Sequence, residues 1–81
     1  MKKVYILLVE DFGIMINIST YSTEAKALKA LKSKMRIALK SCTMTAEEKR
    51  LVQQDIDKMM AYDIDFDDHV QHAYIVESEV Q

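Results

Sequence analysis

Asp63, Asp65 and Asp67 stand at alternate positions, and His69 and His72 follow three residues apart. Carboxylates and imidazoles this close together are the side chains that bind calcium and zinc. The run opens like a calcium loop, Asp-x-Asp-x-Asp. It then departs from that pattern, with Asp68 where the turn needs Gly and Tyr74 where a bidentate Glu belongs. A helical turn could still bring Asp65, Asp67, His69 and His72 around one ion. The expectation is plainer: a solvated acidic connector, anchored by Ile64 and Phe66, with no metal and no cofactor.

Other reactive side chains lead to the same end. Cys42 falls after the last turn of a helix, where the dipole opposes a thiolate, and on an apolar stripe, so it reads as a small core residue. Asp11-Phe12-Gly13 matches three letters of a kinase motif, but no Gly-rich loop, strand lysine or catalytic loop accompanies it. No nucleophile–base pair or phosphate-binding loop is present in the sequence. The chain is not expected to be an enzyme.

Charge is the stronger clue. Residues 1–50 carry ten Lys/Arg against five Asp/Glu, whereas residues 51–81 carry Lys58 alone against eight acids. The formal charge of −2 hides this division. A bipolar molecule can offer faces of opposite sign to a partner or to a copy of itself. Asp55, Asp57, Asp63, Asp65, Asp67 and Asp68 form the acidic stretch, and spaced carboxylates can imitate a phosphate backbone within a basic groove. Phe66 and Tyr62 would be its apolar anchors. The alternative is nucleic-acid binding through Lys29, Lys32, Arg36 and Lys40 on one side of a helix. Against it stand a pI near 5.6, the lack of any aromatic residue between 22 and 61 to stack on a base, and the single Arg in that row.

These side chains need elements to hold them. Residues 4–9 are apolar throughout, as in a central strand. Residues 10–13 make a hairpin turn with Gly13 at positive φ, and Ile14, Ile16 and Ile18 line one face of a second, half-buried strand. Ser22 caps a helix starting at Thr23, whose stripe is Leu28, Leu31, Met35, Ala38, Leu39 and Cys42. Thr45 and Glu48 make a capping box for a second helix that buries Val52, Ile56, Met59 and Met60 and ends near Tyr62. Residues 73–80 form a third strand. The expected fold is α+β, β-β-α-α-β, with two helices packed on one face of a three-stranded sheet.

The 81 residues make one compact domain. No apolar run approaches the ~20 residues of a membrane span, and the lone Cys fits a reducing cytoplasm. One face of the first strand, Tyr5, Leu7 and Val9 or else Val4, Ile6 and Leu8, lacks a helix to cover it. Tyr5, Leu7 and Val9 are taken as the self-associating set, and a homodimer is expected.

Two short strands, a Tyr-Ser-Thr-Glu-Ala entry into an Ala/Leu/Lys helix, and a closing Tyr-Ile-Val-Glu-Ser-Glu-Val strand resemble small α+β proteins of bacteria and phages. Compact acidic members of that group include the anti-CRISPR inhibitors of host nucleases. The resemblance implies an inhibitor and assigns no residue. The chain is thus expected to be a small protein-binding module that occupies a basic, nucleic-acid-binding surface of another protein. A structural homodimer is the remaining alternative.

Overall fold

A computed structural model describes residues 2–80. Along them run β1 (Lys2–Asp11), β2 (Ile14–Tyr21), α1 (Glu24–Ser41), α2 (Ala46–Met59), β3 (Ala61–Asp65) and β4 (Val70–Val80). The strands form one antiparallel sheet in the order β2-β1-β4-β3. The class is α+β, but the sheet has four strands and not three. The additional strand, β3, lies where an acidic connector was expected. Its side chains alternate: Tyr62 and Ile64 are buried while Asp63 and Asp65 are exposed. That two-residue period is what a half-buried edge strand requires, and burying Tyr62 and Ile64 outweighs the poor strand propensity of Asp. β4 accordingly begins at Val70, pairing Val70 with Asp65, and not at residue 73.

The hairpin between β1 and β2 turns on Phe12 and Gly13, with φ of 54° and 73°. Two positive φ values in a two-residue loop are those of a type I′ turn, whose twist matches the flanking strands. Beyond it β2 carries a bulge. Val9 pairs with Asn17 but Glu10 pairs with Met15, so Ile16 is an extra residue. The bulge breaks the expected row of isoleucines, because directly paired residues share a face. Ile18 lies beside Leu8, and Ile14 lies beside Asp11 on the opposite face. All three isoleucines are exposed. β2 is therefore an edge strand that packs little, not a half-buried one.

α1 starts one residue later than expected. Thr23, not Ser22, is the cap, its hydroxyl accepting from Lys26 N at 3.2 Å. Ala27, Leu31, Met35, Ala38 and Leu39 are its buried stripe, with Leu28 and Cys42 at the margin. α2 begins with the expected capping box: Glu48 N donates to Thr45 Oγ1 at 3.2 Å, and Thr45 N donates to Glu48 Oε1 at 3.0 Å. Those bonds hold the Glu48 carboxyl below its usual range. α2 stops at Met59 because Met60 turns left-handed, with φ of 55° and its amide bonded to Ile56 O. Ile56 is buried and Val52 packs at the core margin, but Met59 is exposed, contrary to expectation. Tyr62 thus belongs to β3, not to the end of a helix.

Both helices cover the same side of the sheet. Leu7 and Val9 meet α1 there, 0% and 2% exposed, together with Ile64 and Ala73. The Cα extents are 43 × 25 × 15 Å, and the short dimension corresponds to one helix layer on one sheet. The opposite face has no layer over it among the described residues.

Candidate interaction surface

The hairpin and the β3–β4 turn, residues 66–69, meet at one end of the sheet. His69 joins them. Its ring is stacked between Phe12 and Phe66, at centroid distances of 4.0 and 4.7 Å. Nε2 lies 3.3 Å from Asp11 Oδ1, and Nδ1 lies 2.6 Å from Asp68 Oδ1. The bond from His69 holds the Asp68 carboxyl below the ordinary range. Each ring nitrogen thus has a carboxylate beside it.

This joint builds an acidic tip from both halves of the chain. Glu10 and Asp11, from the basic half, come beside Asp63, Asp65, Asp67 and Asp68. Glu10 pairs with His72 across β1 and β4, and His72 pairs with Asp63 across β4 and β3. His72 Nδ1 is hydrogen-bonded to Asp63 Oδ1, and its ring tilts against Tyr74 at 4.9 Å. Phe12 stands at the tip with 60% of its surface exposed. Glu10, Asp11 and Phe12 were not expected in the site. The Phe-Gly turn and the alternation of residues 62–66 were the signals for their convergence.

Other expected residues lie elsewhere. Asp55 and Asp57 are in the last turns of α2, beside the start of β3, whereas Asp65, Asp67 and Asp68 mark its far end. Asp57 is engaged by Lys32 Nζ at 2.6 Å. Tyr62 is no surface anchor: it is buried, and its hydroxyl donates to Gln71 Oε1 at 2.6 Å. Burial, then the charge of Asp11, pushes its phenol well above the ordinary value. Phe66 packs against the core margin and His69. Leu7 and Val9, expected on a self-associating face, lie under α1, with Tyr5 half-buried on the same side. It is Val4, Ile6 and Leu8 that the helices leave uncovered.

Asp65, Asp67, His69 and His72 do not converge. His69 is held by Asp11 and Asp68, and His72 by Asp63. Among the described residues no three His, Cys, Asp or Glu side chains are grouped to hold a metal ion. Lys29, Arg36 and Lys40 are exposed along α1, and Lys32 between them is paired with Asp57. Cys42 Sγ donates to Leu39 O at 3.4 Å as the helix ends. Behind the tip a cleft of about 330 Å³ opens between α1 and the sheet, with Asp11, His69 and Gln71 along one side and Lys34 and Ile37 on the other. Gln71 Nε2 donates to Asp11 at 3.4 Å, so the polar wall is already internally satisfied.

No family model, curated protein or solved structure matches the chain. No helix among the described residues is long and apolar enough to cross a membrane.

Proposed function

We propose that this protein is a non-catalytic binding module that inserts its acidic tip into a basic, nucleic-acid-binding groove of another protein. The observation that carries this reading is the convergence of Glu10, Asp11, Asp63, Asp65, Asp67 and Asp68 at one end, drawn from both halves of the chain. Grouped carboxylates raise the local negative potential, which speeds encounter with a basic groove and competes with phosphates for it. Phe12, exposed at the centre of the tip, supplies the apolar anchor. A small inhibitor of a nucleic-acid enzyme, of the anti-CRISPR kind, acts in this way, and a cytoplasmic setting goes with it.

The test is competition with duplex DNA for purified nucleases that have basic grooves. The wild-type protein is expected to displace DNA. The variant carrying Asp63→Lys, Asp65→Lys and Asp67→Lys is expected to lose this while its stability changes by less than ~1 kcal/mol, as for exposed side chains. Equal competition by the triple variant would refute the reading. The alternative, nucleic-acid binding through Lys29, Lys32, Arg36 and Lys40 on α1, predicts instead that the wild-type protein binds the duplex itself in that assay.

A further inference from the structure

The uncovered face of the sheet has an apolar centre. Cross-strand pairing sets Leu8 between Ile18 and Tyr74, and Ile6 beside Val76, with Val4 next along β1. Val4, Ile6, Leu8 and Tyr74 are half-buried by one another, while Ile18 and Val76 keep 64% and 39% exposure. A strand with one solvated face alternates apolar with polar, whereas β1 is apolar from Val4 through Val9. That is the pattern of a strand covered on both sides. The helices cover one.

Charge on this face is confined to its ends. Lys2, paired with Val80, lies at one end of β1, and Glu10 lies at the other in a row with His72 and Asp63. The face thus runs from a positive end, over an apolar middle, to a negative end. Turned through a two-fold axis lying across the strands, this pattern matches itself.

We propose that a second copy of this chain covers the face, the two sheets stacking with their strands antiparallel. Lys2 of each copy then lies over Glu10 of its mate, toward Asp63, and Ile6 and Val76 meet their copies at the centre with Tyr74 and Ile18 flanking them. Parallel stacking would instead set the two acidic ends against each other. The arrangement is isologous, as two-fold dimers are. With Lys2 over Glu10 the axis passes at Ile6, so β1 and β4 overlie their copies along about nine residues each while β2 and β3 barely overlap. At ~3.3 Å per residue and ~4.8 Å per strand this gives roughly 300 Å² of flat face per copy. The resulting total of about 600 Å² is that of a weak interface, so the dimer is expected to be concentration-dependent. Asp11, Asp67 and Asp68 lie off the stacked face and stay accessible, whereas Glu10, Asp63 and Asp65 lie on it. Ile18→Lys/Val76→Lys leaves every carboxylate of the tip in place, so failure of the dimer and failure of groove binding are distinguishable.

Sedimentation equilibrium on the full chain, with chemical cross-linking, tests this. The wild type is expected to approach twice its 9.4 kDa mass as concentration rises. The double variant Ile18→Lys/Val76→Lys is expected to be folded by circular dichroism and to dimerise at least ~100-fold more weakly, the loss of a central contact pair. Ile14→Lys, on the other side of the same strand, is expected to leave the mass unchanged. A zero-length carbodiimide should join Lys2 to Glu10 or Asp63 between chains. Within one chain Lys2 and Glu10 are eight residue steps, ~26 Å, apart along β1 and out of reach of such a link. A monomer at ~1 mM, where even millimolar affinities register, would overturn the proposal. So would a dimer broken by Ile14→Lys but not by Ile18→Lys/Val76→Lys. Intact dimers without a Lys2 cross-link to either acid would overturn the antiparallel stacking.

Discussion

His69 does more structural work than any other polar side chain of the tip. Two rings clamp its faces and two carboxylates hold its nitrogens. The sequence marked it as a candidate ligand, since a His beside several Asp residues suits a metal. The structure divides those partners: His69 faces Asp11 and Asp68, while His72 turns to Asp63. No local spacing could reveal this, because Asp11 is brought in from a strand at the other end of the chain. The pH response follows from Asp68. Its carboxyl is lowered in the folded state by the His69 bond, from an unfolded value of 3.8. The stability it contributes is present above that value and is lost as pH falls through the lower folded one. His69→Ala is therefore expected to flatten the decline of the denaturant midpoint below about pH 4. An unchanged acid limb would show that the bond to Asp68 adds nothing to stability.

Among the elements, α2 depends most on its ends. Only Ile56 is fully buried along its 14 residues, so little packing holds it. Helices this short are marginal on propensity alone, which leaves the capping box a large share. Thr45→Ala is expected to cost ~1 kcal/mol and to lower Tm by about 4–8 °C in a domain of this size. A Tm unmoved by the substitution would assign the stability of α2 to Ile56 and Val52. The box was legible from four consecutive residues because both of its bonds are local. β3 was also legible, in the alternation of Tyr62, Ile64 and Phe66 with aspartates, but the low strand propensity of Asp masked it. The bulge in β2 was not legible, since nothing in Met15-Ile16-Asn17 shows that Glu10 skips a partner.

At the scale of the whole molecule, the charge division of the chain becomes a geometry. The acidic half does not gather as one surface: Asp55 and Asp57 stay on α2 near Lys32, and the tip recruits Glu10 and Asp11 instead. If the uncovered face stacks on a second copy, its apolar centre carries the affinity and Lys2, Glu10 and Asp63 set the direction. At 1 M salt, where the Debye length is about 3 Å, the dimer is then expected to persist by light scattering, because apolar burial is not screened. Dissociation under those conditions would mean that the charged ends, and not Ile18 and Val76, hold the copies together.

The sequence alone determined what is written within a few residues. The Phe12-Gly13 turn, the Thr45–Glu48 box, the stripe on α1 and the both-sides apolar pattern of β1 each depend on neighbours a turn or a pleat away. The two-residue period of β1 also marked two apolar faces, but a period cannot say which of them the helices take. Only the tertiary structure decided that Leu7 and Val9 go under α1 and that Val4, Ile6 and Leu8 face outward. That choice is made by pairings between distant segments, Leu7 with Ile75 and Val9 with Ala73, whose side chains share one core with Leu31 and Ile64. The acidic tip is decided in the same way, since it exists only where the ends of β1 and β3 are brought together by β4 between them.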